Sequence, residues 1–495
     1  MNKPIYVGLT AKKTLRLITA LSLLVLTGRA FNASGQTETN VHSFLGPPAD
    51  GADPEGGLVQ GSDGNFYGTT YMGGMSTNCP FGCGTVFRIS PSGSYTNLHS
   101  FAGPPSDGAN PYGGLVQGND GNFYGTTKFG GTSNSGTVFR ISAVGQLTNL
   151  WMFTGGSDGG IPFYAPVQGS DGNFYGTASI GGTNGVGAVF RISPSGSYTN
   201  LYSFGLYPDG FLPEGGLVQG SDGNFYGTTY IGGTNTNCLE GCGSVFRISP
   251  SGSYTSLYSF AGPPNDGSSP AGLVQGSDGN LYGTTAFGST NGDGAVFRIS
   301  PNGSYTNLHF FTGSPNDGRN SYAGLVQASD GNLYGTTFYG GTSTNCGSGC
   351  GTVFRISPTG SYTSLYSFFA ALPNDGIGPI DGLVQGSDGN IYGTTRNGGT
   401  SHIGTVFRLT VPLNPPPYPI NQITGVKLAG SNIVFNIPSI AGETYQLQFS
   451  SAMAPTNWVN VPRVSVTNSI GALLTLTNFG AAVGPQRFYR FDITP

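Results

Sequence analysis

GLVQGSDGNFYGTTYIGGTN (residues 216–235), followed by GSVFRISPSGSYTSLYSF (residues 243–260), is one copy of a unit that recurs seven times in the 495-residue chain. Repetition at a fixed period decides architecture before any other signal, because each unit buries its faces only against its neighbours. Four apolar runs alternate with turn signals inside the unit. GLVQ leads to the turn SDGN, NFYGTT to a glycine-rich loop, and TVFRIS to a turn such as PSGS. SYTNLYSF then runs through a Pro- and Gly-containing linker into the next GLVQ. Asp-Gly between apolar runs marks a hairpin, since glycine accepts the positive φ of a tight turn. Four short antiparallel strands about every 50 residues predict a propeller blade.

Counting predicts how the ring closes. GLVQ-like runs begin near residues 57, 114, 165, 216, 272, 324 and 382, and VFR begins at Val86, Val138, Val189, Val245, Val296, Val353 and Val406. The fourth-strand motif also appears seven times, but its first copy, Val41 to Phe44, precedes the first GLVQ, and none follows the last VFR. The fold class is therefore all-β: a seven-bladed β-propeller over 37–411, closed by an N-terminal strand so that no sheet edge is left open. In such a meander the turns after strands one and three share one face and are uniform. The loops after strands two and four share the other and vary, and variable loops on a rigid scaffold are where binding resides.

The order GLVQ–DGN–YGTT–GG–GTVF–I, held through all copies, resembles the GloVer tandem repeat of exported bacterial proteins. That resemblance implies a surface-located protein and transfers no functional residue. The DGN-Y-GT core is also similar to the repeat of sensor-associated propellers, which supports the fold and carries no ligand.

Composition agrees with strands joined by glycine turns: 86 glycines, 12% aromatic and 37% hydrophobic residues, 8% charged. A net charge of −4 with no basic stripe argues against a nucleic-acid partner. Of 23 acidic residues, 14 lie in two repeated Asp-Gly sets, one in SDGN-type turns (Asp63 and equivalents), the other before the next blade (Asp50 and equivalents). An aspartate capping its own turn accounts for the first set better than calcium, because the alternating Asp spacing of a calcium loop is absent. No metal or cofactor is expected.

Lys3, Lys12, Lys13 and Arg16 precede an apolar run, Leu17 to Leu26, and then small residues. Ten residues are too few to span a bilayer, so 1–36 reads as a secretory signal peptide, with an uncleaved anchor as the alternative, and the mature chain, expected to be a monomer, carries no membrane span. Export in turn favours disulfides. Cys79–Cys83, Cys238–Cys242 and Cys346–Cys350 share one spacing and accompany an insertion in the second-to-third-strand loop, which each pair would staple; zinc would need two pairs from different blades.

The residue after GTT or GTA changes from blade to blade: Tyr71, Lys128, Ser179, Tyr230, Ala286, Phe338 and Arg396. Tyr71, Lys128, Tyr230, Phe338 and Arg396 are the candidate ligand-binding residues, able to stack on sugars or hold a peptide. Packing under the long loops would use the same side chains. The VFR arginines are expected to make buried partnerships with a turn aspartate or a carbonyl between blades. His42, His99 and His309 read as surface aromatics of the outermost strand. Asp53, Glu55, Glu214, Glu240 and Asp381 are the acids outside the repeat pattern. Glu55 and Glu214 stand in blades one and four, far apart around the ring; Asp53 and Asp381 are closer, but no further group completes a catalytic pattern, so no catalytic residue is assigned. Past a Pro-rich linker (412–421), alternating runs predict a small β-sandwich over 422–495, similar to a terminal module of exported bacterial proteins. Three functions fit: a surface protein recognising glycan or protein, a polysaccharide-active hydrolase or lyase, and a structural envelope protein.

Overall fold

The computed structural model describes residues 37–411, apart from 206–207, 236 and 371–373, and the backbone of six strands between 425 and 494. The signal peptide expected over 1–36 and the linker expected over 412–421 lie outside the described residues.

Six four-stranded antiparallel sheets are built from consecutive strands, and a seventh takes its outer strand from the amino terminus. In that sheet Thr37–Ser43 pairs with Thr405–Thr410, from Thr37 opposite Thr410 to Ser43 opposite Thr405. The ring is thus the closed seven-bladed propeller that the count of motifs requires.

Two belts of side-chain bonds lock each blade to the next. On the short-turn face, the Ser62 N–H donates to Gln117 Oε1 at 2.9 Å, and the series runs round to Ser387 donating to Gln60 at 2.8 Å. Nearer the other face the first threonine of each GTT or GTA donates to the carbonyl leading into the next blade, from Thr69 to Gly113 (2.9 Å) round to Thr394 and Gly56 (3.1 Å). Between the belts aromatic pairs fill the interfaces: Tyr67 on Phe123 at 3.9 Å, Tyr124 on Phe174 at 3.8 Å, and Phe66 against Tyr392 at 4.1 Å across the closure. These rings are fully buried, and each such stack adds about 1 kcal/mol to the burial itself.

The inner strands are shorter than GLVQ suggests. Six pair over two residues, such as Val59–Gln60, and only Gly267–Gln275 is long. The cause is crowding at the axis, where a Cβ on Gly114 would lie 2.5 Å from the Gly57 carbonyl oxygen. Five blades carry instead an extra two-stranded ribbon on the variable-loop face, such as Gly51–Ala52 with Met72–Gly73.

The two aspartate sets do different work. Asp63 is exposed and accepts from the Asn65 N–H (3.1 Å), Asn65 Nδ2 (2.8 Å) and the Tyr67 hydroxyl (2.8 Å), the turn cap foreseen from SDGN. Asp50, Asp107 and Asp317 are buried and tie outer strand to linker; Asp317 takes the Gly318 N–H (2.7 Å), the Thr312 N–H (3.0 Å) and His309 Nε2 (2.9 Å). The reading of His42, His99 and His309 as surface aromatics is therefore corrected. They are half-buried, each bonded to such an aspartate, and His42 and His309 stack on Tyr95 (4.2 Å) and Tyr362 (3.8 Å) of the next blade.

The VFR arginines are also half-buried, and among the described residues none forms an ion pair with a turn aspartate. That carboxylate is already occupied by the tyrosine and asparagine of its own hairpin. Arg88 sits opposite Tyr67 in the strand pair, while Arg140 reaches the Pro194 carbonyl of the next blade at 3.5 Å. The six cysteines form the three expected disulfides, which belong to an oxidising compartment. No helix among the described residues is long and apolar enough to cross a membrane.

Six further strands, Gly425–Ala429 to Phe488–Thr494, form two three-stranded antiparallel sheets. Five match the runs read from sequence; Gly425–Ala429 was not foreseen.

Candidate functional site

On the variable-loop face each chain segment entering a blade turns through one left-handed residue. Asp53, Asn110, Ile161, Leu212, Ser269 and Asn320 have φ near +50°, and Gly378 takes the place in blade seven. The carbonyl of this residue accepts the N–H of the residue after GTT, as from Tyr71 to Asp53 (2.9 Å) and from Arg396 to Gly378 (3.1 Å). The strained turn thereby fixes the variable position against the axis.

One position downstream of the proline that follows stand Glu55, Tyr112, Phe163, Glu214, Tyr322 (after Ser321) and Ile380. In blades one, two and seven the post-GTT side chain meets this entry residue of the next blade. Tyr71 lies edge-on to Tyr112 at 6.2 Å, Lys128 Nζ is 4.3 Å from the centre of the Phe163 ring, and Arg396 Nε is 3.0 Å from Glu55 Oε1. Phe338 packs 5.9 Å from Tyr322, and Tyr230 stands beside Ser269 and within electrostatic reach of Glu214. All five sequence candidates therefore lie against residues of the segments that enter the blades on the variable-loop face. Ser179 and Ala286 are buried, as the packing alternative has it.

Around the ring the rings form two arcs. Tyr71, Tyr112 and Phe163 make one across blades one to three, with Tyr112 and Phe163 at 5.1 Å. Phe287, Tyr322, Phe338 and Tyr339 make the other across blades five and six. Tyr164 links the two, its hydroxyl donating to the Tyr322 carbonyl at 3.2 Å, from blade three to blade six. Tyr112, Phe163, Tyr164 and Tyr322 were missed from sequence. Their signal was there: the segment entering each blade reads Pro-x-Gly-Gly in blades one, two and four, and blades three and six depart from it as PFYA and SYAG.

Charge fills the gaps between the arcs. Glu55 is 4% exposed, and its Oε2 has no hydrogen-bond partner. Burial pushes its pKa up to about 7, opposed by Arg396 and reinforced by Asp53. Burial also raises Glu214, against Lys128, and raises Asp53, against Arg396. Asp381 is raised to about 6 by burial although the Gly382 and Gly57 N–H groups donate to it. Burial lowers Lys128, opposed by Glu214 and Glu55. Its ammonium lies over Phe163, Tyr112 and Phe129 and has no hydrogen-bond acceptor among the described residues. Glu55 and Glu214, read as far apart, thus converge electrostatically on one lysine. Among the described residues no group of three or more His, Cys, Asp or Glu is placed to hold a metal ion.

The sequence pattern described as the Gloeobacter/Verrucomicrobia repeat matches residues 27–168, 75–262 and 234–415. No curated protein matches the chain. Among solved structures, a 6-phosphogluconolactonase homologue from Bacteroides uniformis, named so provisionally, is 15% identical over 83% of this chain and 99% of that one, with a TM-score of 0.46. Puromycin hydrolase is 14% identical over 81% and 61% (TM-score 0.45), and a Dyadobacter fermentans protein of unknown function 10% over 76% and 99% (0.39).

Proposed function

The chain belongs to the Gloeobacter/Verrucomicrobia repeat family, and on that premise we propose an exported, non-enzymatic propeller that recognises a glycan in the central mouth of its variable-loop face. The observation that carries this reading is the pair of aromatic arcs flanking two polar groups left without hydrogen-bond partners, Glu55 Oε2 and the Lys128 ammonium. Flat rings stack on the apolar faces of sugars, while their hydroxyls both donate and accept. A carboxylate lacking a donor and an ammonium lacking an acceptor are complementary to such a ligand. A leader over 1–36 would export the chain, in keeping with its disulfides, and the module over 422–495 would attach or sort it.

Screening the purified chain on a glycan array tests this. Retention of a saccharide that is lost in Tyr112→Ala is the supporting result; no retained saccharide, or retention indifferent to that change, overturns it. One observation favours a hydrolase as the second reading: the Glu55 carboxyl, raised to about 7, is poised as a general acid. Turnover of an array hit, abolished by Glu55→Gln, would establish that instead.

A further inference from the structure

We propose that the mouth takes the terminal unit of a glycan chain and not an internal stretch; the inference rests on the glycan reading above. Its basis is depth and closure. At the second entry position six blades carry Gly56, Gly113, Gly215, Ala271, Ala323 and Asp381, and blade three alone carries a large ring, Tyr164. That ring bridges from blade three to the Tyr322 carbonyl of blade six. It therefore spans the ring between blades on nearly opposite sides and stands in the way of a threading polymer. Around it the inner segments of neighbouring blades pack closely: besides the Gly114 contact, a Cβ on Gly57 would lie 2.9 Å from the Gly382 oxygen, and one on Gly113 2.6 Å from Tyr164 Cα. With Tyr164 bridging blades three and six, a chain is expected to enter from one face and not to thread the ring.

Glu55 is 4% exposed and its Oε2 unpartnered, and Lys128 is held among three rings. An internal sugar lying over the rim is held off by its two glycosidic neighbours, whereas a terminal sugar descends between the arcs with several free hydroxyls. Those hydroxyls are the donors that Glu55 lacks and the acceptors that Lys128 lacks. The arcs then clasp one or two sugar rings and no more.

The experiment is calorimetric titration of the wild-type chain with β-1,4-glucan, β-1,3-glucan, β-1,4-xylan, β-1,4-mannan and α-1,4-glucan oligosaccharides of two and six units, and with the matching polymers. For the series that binds, dissociation constants for two and six units within about threefold, with one protein bound per polymer chain, support the inference. A tenfold or greater gain from two to six units, or several proteins per polymer chain, overturns it and leaves the glycan reading standing. Binding of none of the five series overturns the glycan reading itself, and this inference falls with it. Glu55→Gln supplies a second readout: a loss of about tenfold in affinity for the two-unit sugar, at unchanged melting temperature, supports contact at depth, and unchanged affinity contradicts it.

Discussion

Glu38, on the closing strand, sets its carboxyl against that of Asp375 where other blades set a tyrosine hydroxyl against the equivalent aspartate. In blade five, for example, the Tyr305 hydroxyl donates to Asp266 Oδ1 at 2.8 Å. Tyr95, Tyr198, Tyr254 and Tyr362 share the position of Tyr305, and Leu147 stands there in blade two. The one borrowed strand thus makes the one acidic seam. Glu38 Oε1 is buried without a partner, and Tyr366, bonded to Asp375, is the other titratable group facing it.

That seam makes the ring sensitive to alkali. Burial and then the Asp375 charge raise Glu38 from 4.5 to about 8, and burial raises Asp375 from 3.8 to about 6. A carboxyl with a raised native pKa holds its proton more tightly folded than unfolded. Its contribution is therefore complete below about pH 4 and is lost as pH climbs through about 6 to about 8, a few kcal/mol at most. The melting temperature should fall by several degrees from pH 5 to pH 9, and Glu38→Tyr should flatten that slope. Parallel slopes in the two proteins would clear Glu38.

Closure itself should rest on Phe44. Its ring is fully buried, 5.4 Å from Phe87 and 6.0 Å from Tyr95, so the residue just beyond the closing strand fills the seam between blades seven and one. Phe44→Ala should cost about 3–5 kcal/mol by denaturant titration. Removing residues 37–44 should do more, because it bares the Thr405–Thr410 edge and invites pairing between chains. Truncation that leaves both melting temperature and monomer size unchanged is incompatible with the closed ring.

The two aspartate sets, indistinguishable as Asp-Gly in the sequence, should separate on mutation. Asp317→Ala strands the Gly318 and Thr312 N–H groups and His309, and should cost about 2–4 kcal/mol. Asp63→Ala removes an exposed turn cap and one tyrosine bond, so about 1–2 kcal/mol is expected. Equal losses in urea melts would show that burial does not distinguish the sets. Burial works to raise Asp317, but the His309 bond and the Thr312 N–H outweigh it and hold its pKa below the usual value. Its contribution is thus present above the ordinary carboxylate range and is lost as pH falls through the lowered native value.

Blade number, strand order and the borrowed strand were all legible because each depends on a pattern that the chain repeats. Residues that depart from the pattern were legible one at a time: Tyr71, Lys128 and Arg396 stood out within their motif. What they touch was not, since Arg396 reaches Glu55 across 341 positions only because the ring closes between them. The same closure brings Glu55 and Glu214 under the influence of Lys128, which spacing along the chain cannot show. The histidines were misread for a similar reason, their aspartate partners lying eight residues on in the linker.

The disulfides should matter locally. Each closes a ring of about five residues, rated at roughly 2 kcal/mol by loop entropy. Cys242 is 1% exposed and packs with Phe260 and Val245, so its bridge also holds the long loop onto the blade. Cys238→Ser with Cys242→Ser should lower stability by about 2–3 kcal/mol while the far-ultraviolet spectrum stays that of the native sheet. Global unfolding on this change would assign the bridge a larger part than its loop.

The mouth should behave as one site built from opposite arcs. Tyr112 belongs to the first arc and Tyr322 to the second, joined through Tyr164 and the Tyr322 carbonyl. If a ligand sits between them, Tyr112→Ala and Tyr322→Ala should each weaken it by about tenfold, the value of one aromatic stack. Lys128→Met keeps the bulk over Phe163 and Tyr112 but removes the charge that Glu55 and Glu214 share. Both carboxyls should then titrate higher still, and the affinity lost in this variant should grow as pH rises and Glu55 ionises. Leu239, 95% exposed on the disulfide-closed loop of blade four, supplies the control, and Leu239→Ala should bind as the wild type does. Loss in one arc with indifference in the other would mean that the ligand leans on a wall and does not enter the cup.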